Sequence, residues 1–286
     1  MITKIEKYPK YLYQYTTIDT LALILKNRTI KFNSLMNVDD MEEAQTKDVD
    51  NYGKFIFTSC WTDDKKENLA LWNMYAGKTH GVRIKLPTHC FIDDRKSIIE
   101  QIENRNLKIL DKGSGDVDID IVTNTEVENI YNPCSFNFYH LIKVEYTDDE
   151  SKIKPNLIME REYFNDNDEK VKEKYFSDSI IGEYKRKYWE FQREWRYIIV
   201  TMLKGINNLD ILSKNDVRRI EEFQDIPEGI YVGIDKEKIE QMEVMLGPST
   251  NDSDRIIVEA LIDKYNPKMS KPKDSYFKGK VRSNNK

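Results

Sequence analysis

Three segments of the sequence gather aromatic rings and polar or charged side chains where a strand is expected to end. They are Tyr13-Gln14-Tyr15-Thr16-Thr17, then Trp72-Asn73-Met74-Tyr75-Ala76 with His80-Gly81-Val82 behind it, and Trp189-Glu190-Phe191-Gln192-Arg193-Glu194-Trp195-Arg196. Alternation along a strand points residues 192 and 194 to one face, so both side chains could reach a single ligand. Each segment also has a plain structural reading. Tyr15 and Tyr75 suit an amphipathic core with a hydrogen-bonded hydroxyl, and Glu194 between Arg193 and Arg196 suits an ion-pair ladder on an exposed strand face.

Other chemistries find no support. Lys112-Gly113-Ser114-Gly115 lacks the Gly-Lys-Ser/Thr ending that cradles phosphates. Asp116, Asp118 and Asp120 alternate as on a hydrated strand edge and lack the glycine and distant glutamate of a calcium loop. His80, His89 and His140 share no metal-ligand spacing, and Cys60, Cys90 and Cys134 are too scattered for a zinc cluster or a disulfide framework. No metal site, no Ser-His-Asp order and no nuclease-type carboxylate cluster is expected.

The elements that must position these residues follow from periodicity. Leu12 to Tyr15 reads as a strand, after which Thr17 or Asp19 caps a helix with Leu21, Ile24 and Leu25 on its apolar face. Thr29 to Phe32, Phe55 to Trp61, Gly81 to Leu86, Tyr139 to Tyr146, Glu194 to Leu203, Ile230 to Ile234 and Val244 to Leu246 read as strands. Helices are expected over Asn68 to Tyr75, Asp93 to Asn104 and Asp254 to Tyr265, with a solvated, helix-bearing insertion around 148–187. Strands and helices mix without a βαβ rhythm, which predicts an α+β class. A single domain over 1–265 with a basic tail over 266–286 is expected.

Composition bounds the partners. With 286 residues, 17 Tyr, 11 Phe and 4 Trp the chain carries too much aromatic content for a disordered polar polymer. The net charge of -5 hides an asymmetry: residues 264–286 hold eight basic side chains and one acidic, leaving 37 basic against 49 acidic elsewhere. An acidic body argues against general nucleic-acid binding, which draws most of its affinity from neutralised phosphates. The tail, with Tyr276 and Phe277, suits a solvated terminus or a lysine-protected edge strand. No apolar run approaches the roughly 20 residues of a membrane span. The start, MITKIEKYPK, lacks a signal-peptide core, so a cytoplasmic location with no membrane partner is expected.

These motifs together resemble the bacterial family known as domain of unknown function 2971. Its aromatic Tyr-x-Tyr-Thr strand and helix are matched by Tyr13 to Leu25, and its acidic turn by Asp39-Asp40-Met41-Glu42-Glu43, without the family's Asn and Pro. Its Cys, Trp-x-x-Tyr-Ala and His-x-Gly block is matched by Cys60, Trp72, Tyr75, Ala76, His80 and Gly81. Val144 and Tyr146 match a middle strand. Trp189, Phe191, Gln192, Glu194, Trp195 and Arg196 match its Trp-x-Tyr-Glu-x-Glu-x-Arg block, with Gln in place of the first Glu. Gly229 to Gly233 and Leu246-Gly247-Pro248 extend the likeness.

The order of parts is also similar, more loosely, to the ADP-ribosyltransferase superfamily, although a Ser-Thr-Ser motif is missing. That resemblance implies an α+β mixed-sheet core with helical insertions and an enzyme using NAD. Glu194 would stabilise the cationic ribose and bind its 2′-hydroxyl, and Gln192 would orient the acceptor. Tyr75 and Trp72 would stack on nicotinamide, while Tyr15 and Thr16 hold the adenosine side. Arg193, Arg196, Arg83 and His80 would face the pyrophosphate. The expected activity is transfer of ADP-ribose to a protein or nucleic acid, or hydrolysis of NAD, in a toxin or phage-defence effector with an antitoxin or phage protein as partner. The competing class is a non-catalytic module that senses a nucleotide or a phage protein.

Overall fold

A computed structural model describes residues 8–77, 80–92, 95–103, 105–110, 139–164, 168–177, 181–206 and 213–281. The elements in chain order are β1 (Tyr11–Thr17), α1 (Ile18–Asn27), β2 (Thr29–Ser34), β3 (Ile56–Thr62), α2 (Leu69–Tyr75), β4 (Gly81–Pro87), α3 (Arg95–Glu103), β5 (Leu107–Leu110), β6 (His140–Lys143) and β7 (Glu145–Tyr146). They continue with α4 (Glu150–Ile153), β8 (Ile158–Phe164), β9 (Lys170–Phe176), β10 (Tyr184–Lys185), β11 (Glu194–Leu203), α5 (Lys214–Glu222), β12 (Gly229–Gly233), α6 (Lys236–Glu240), β13 (Glu243–Leu246), α7 (Asp252–Tyr265) and β14 (Lys273–Asp274). The class is α+β. None of the described helices is long and apolar enough to cross a membrane.

The first turn of the chain forms as its pattern dictates. Thr17 caps α1 by accepting from Thr20 N, and Ile18, Leu21, Ile24 and Leu25 are buried. Arg28 ends the helix in the left-handed region (φ 54°), its N–H returning to the Ile24 carbonyl. α7 opens with a capping box between Asn251 and Asp254, two residues earlier than periodicity alone suggests.

One ten-stranded sheet runs β12-β2-β3-β1-β4-β13-β14, with β11 on β3 and both β5 and β6 on β11. All its pairs are antiparallel except β13 with β14. β3 holds the design together. Its whole length pairs with β11, while its other edge is shared between β2 at Phe57 and Thr58 and β1 at Thr62. Residues 59–61 therefore face a gap where β1 and β2 part, and the Gln14 side chain donates to the Cys60 carbonyl across it at 3.1 Å.

β11 is buried along all ten residues. Its period of two separates two environments. Tyr197 meets the rings of Phe32, Trp61, Phe91 and Tyr139 in the core, whereas Glu194 and Arg196 share the other face.

The helical insertion expected around 148–187 is not what forms. α4 is one turn, and β8 with β9 makes a hairpin. Its abundant Glu and Lys are cross-strand partners rather than helical neighbours: Glu162 meets Lys170 and Lys172 at 2.6 and 2.7 Å, and Glu160 meets Lys174 at 3.3 Å. Arg161 lies over the rings of Tyr163 and Tyr175 on the opposite face. The expected strand Tyr139 to Tyr146 is broken at Val144, with β6 joining β11 and β7 pairing parallel to β10. In the basic tail, β14 adds an edge strand, and Phe277 packs beside Tyr15, Leu71, Trp72 and Ala76. The glycine-rich stretch 112–115, Asp116, Asp118, Asp120 and Cys134 lie outside the described residues.

Gly81 marks a close approach that leaves no room for a side chain. A Cβ there would stand 2.5 Å from the Ala76 carbonyl oxygen and 2.6 Å from its Cβ. Gly81→Ala should therefore destabilise the fold by about 1–3 kcal/mol, the usual cost of overpacking. Urea unfolding of the two proteins measures this, and equal midpoints would contradict it.

Candidate functional site

The gap in the sheet opens into a cavity of about 290 Å³. That is at the lower end of the roughly 300–1,000 Å³ of small-molecule sites, room for one end of a dinucleotide rather than the whole. β1 supplies Tyr13, Gln14 and Tyr15; β2 supplies Lys31 and Asn33; β3 supplies Thr58 to Thr62. Asp39, Tyr75, Lys185, Gln192, Glu194 and Arg196 complete the walls.

At the back lies a cluster of four buried charges. Lys185 Nζ stands 2.9 Å from Glu194 Oε2 and 3.0 Å from Glu43 Oε1. Arg196 pairs through Nε with Glu194 Oε1 and through Nη1 with Glu43 Oε2. Glu43 makes these contacts as ion pairs without aligned hydrogen bonds. All four side chains are at most 4% exposed. Two cations and two carboxylates leave the cluster formally neutral, the condition under which such groups can be buried.

The two carboxylates respond differently to the shared environment. Burial pushes Glu194 up, but Arg196 and Lys185 outweigh it and hold the group below the usual carboxylate range. For Glu43 burial dominates, and the group sits above its ordinary value despite Arg196 and Lys185. Glu194 is thus the carboxylate held more firmly in its ionised form, and the Tyr146 hydroxyl receives its backbone N–H at 2.8 Å.

A chain of hydrogen bonds leads from the cluster toward the mouth. Lys185 donates to Gln192 Oε1 at 2.8 Å, and Gln192 Nε2 donates to the Tyr75 hydroxyl at 2.7 Å. Burial pushes the Tyr75 hydroxyl up, and the neighbouring Asp39 carboxylate adds to this. Burial likewise pushes the Cys60 thiol up, with Glu194 reinforcing it. Both stay protonated at neutral pH, so neither is a ready nucleophile.

The structure brings Glu194, Gln192, Tyr75, Tyr15 and Arg196 around one cavity and places the other predicted site residues elsewhere. Gln192 does not reach Glu194 by strand alternation. It closes a 3-10 turn over Lys187–Gln192, and Arg193 in the left-handed region (φ 46°) redirects the chain into β11. Thr16 is buried opposite Val82 in the β1–β4 ladder. Trp72 is buried edge-on to Tyr15 at 4.8 Å and donates to Glu67. Arg83 lies over the Tyr13 and Tyr15 rings and donates to the Tyr15 hydroxyl, as does the Asn68 N–H. His80 pairs with Asp254 at 2.6 Å, and Arg193 pairs with Asp63.

Four residues at the site were not singled out from sequence: Lys185, Glu43, Asp39 and Lys31. Lys185 fell within the expected insertion, and the acidic turn 39–43 was noted without a role for Glu43. Lys31 lines the cavity and carries no ion pair among the described residues. No group of three or more His, Cys, Asp or Glu among the described residues could hold a metal ion.

Residues 71–197 match the model of a family described as "Protein of unknown function (DUF2971)". The match runs from α2 into β11 and so contains Tyr75, Lys185, Gln192, Glu194 and Arg196. It leaves out β1 and the acidic turn, where the likeness was also drawn. No curated protein and no solved structure matches the chain.

Removing one cation from the cluster leaves two buried carboxylates sharing the other. Lys185→Met should therefore cost about 3–5 kcal/mol at pH 7, the scale of a broken buried ion pair. The net negative charge left behind favours proton uptake in the folded state, so the gap to the parent protein should narrow as pH falls from 7 to 5. Urea unfolding at both pH values reads this, and a gap that stays constant would count against the cluster.

Proposed function

We propose that the protein binds NAD with its nicotinamide–ribose end in the cavity and breaks the bond between them, passing ADP-ribose to a protein or nucleic-acid acceptor, or to water. The observation that carries this reading is the convergence of ionised Glu194 with Gln192, Tyr75 and Tyr15 around one cavity.

Breaking that bond builds positive charge on the ribose, as in glycoside cleavage. A fixed carboxylate favours such charge without having to reorganise. Lys185 and Arg196 each donate to one acceptor position on Glu194, but an ionised carboxylate offers about four, so a ribose hydroxyl still has a place to bind. The half-buried Tyr75 in the cavity wall offers ring surface to nicotinamide, where stacking contributes about 1–3 kcal/mol. Arg83, Arg193 and His80 are committed elsewhere, so Lys31 takes over the pyrophosphate contact as a point charge. Consumption of cellular NAD or modification of a macromolecule would suit a toxin or phage-defence effector.

One observation favours a second reading, a nucleotide-sensing module without turnover. The charge of Glu194 is matched on both oxygens by buried cations, as a purely structural network would have it.

Labelled NAD incubated with the protein and cell lysate separates the two. Labelled macromolecules or free ADP-ribose are expected. Glu194→Gln should lower the rate by about 10²–10³-fold, the usual loss on removing one preorganised electrostatic group. NAD that binds yet stays intact under every condition would establish the sensor instead.

A further inference from the structure

Transfer to any neutral acceptor needs a group to receive the acceptor's proton, and Glu194 is ill suited to it. Its two oxygens are held by Arg196 and Lys185, which keep it a weak base. The thiol of Cys60 and the hydroxyl of Tyr75 are themselves protonated, and Lys31 and Lys185 are cations. No histidine lines the cavity among the described residues. That leaves Asp39. It is exposed at the rim, carries no ion pair among the described residues, and stands beside the Tyr75 hydroxyl. Because that hydroxyl accepts from Gln192, its own proton is free to point at Asp39. The same chain of contacts that runs to Glu194 thus ends on Asp39.

We propose that Asp39 is the catalytic base of the reaction, taking the proton from a hydroxyl- or amine-bearing acceptor as that acceptor attacks ribose C1′. This rests on the NAD-cleaving reading above. The acceptor lone pair forms the new bond to C1′ while the C1′–nitrogen bond breaks. Its electron pair goes to the ring nitrogen, turning the pyridinium into neutral nicotinamide. The proton moves to the Asp39 carboxylate and then to water. The two carboxylates divide the work: Glu194 steadies charge on the sugar, and Asp39 activates the incoming group.

Azide tests this, because an anionic nucleophile has no proton to give up. Nicotinamide release from NAD is followed for the parent, Asp39→Asn and Glu194→Gln proteins, with and without sodium azide, alongside thermal melts. With water as acceptor, Asp39→Asn should lose about 10²-fold or more in kcat, the scale of general-base catalysis, with KM for NAD little changed. Azide should restore Asp39→Asn and yield ADP-ribosyl azide, and it should not restore Glu194→Gln. Full activity of Asp39→Asn in water would overturn the role of Asp39 and leave NAD cleavage standing, and so would a loss that azide does not repair. A parent protein that leaves NAD intact in both conditions would overturn the cleavage reading and this inference together.

Discussion

Four charges that have left water set the terms for this molecule. Bringing Lys185, Glu43, Glu194 and Arg196 into the interior carries a desolvation cost of several kcal/mol per ion, recovered only when each cation meets its carboxylates in good geometry. That geometry ties together three stretches of chain: the acidic turn after β2, the short strand β10, and the start of β11. Arg196 also donates to the Gly182 carbonyl at 3.0 Å, and Gly182 takes a positive φ of 78° that suits glycine. The cluster therefore fixes how the segment before β10 returns to the sheet.

The cavity is the other half of the same arrangement. β3 exchanges one neighbour for another along a single edge, and the parting of β1 from β2 leaves space over residues 59–61. A continuous ladder would have filled that space with backbone. Gln14 supplies one of the missing contacts with its side-chain amide, and the rings of Tyr13 and Tyr15 line the opening. The buried charges close the far wall, so they sit where regular pairing stops. This recurs in proteins because a sheet defect supplies both room and polar groups.

Hydrogen bonding gives the site a direction. Lys185 donates to the Gln192 oxygen and the Gln192 nitrogen donates to Tyr75, which fixes the Gln192 amide with its oxygen inward and its nitrogen toward the mouth. Tyr75 is thereby held by its hydroxyl, and its ring becomes part of a rigid wall. Tyr15 is held in the same way by the Asn68 N–H and Arg83. Two rings anchored at their polar ends make a preorganised wall, the kind of arrangement that lowers the entropy lost on binding.

Much of this architecture was legible in the residues. The spacing of Leu21, Ile24 and Leu25, the β-branched run of β11 and the alternation of β4 are local signals, and they gave the α+β class and most element positions. Charge-rich segments misled: the Glu and Lys of β8 and β9 suit a helix face as well as a strand ladder, and only pairing across a hairpin distinguishes the two. The positions of Tyr15, Tyr75, Gln192, Glu194 and Arg196 were visible as a group because each lies in a motif. Glu43, Lys185, Asp39 and Lys31 were not assigned. Arg83, Trp72, His80 and Arg193 were expected at the ligand but their polar groups have partners elsewhere, and Thr16 is buried in the β1–β4 ladder. Periodicity reports which side of its own element a residue takes. Which segments then meet is a matter of tertiary packing, since ion pairs and cavity walls join residues far apart in the chain.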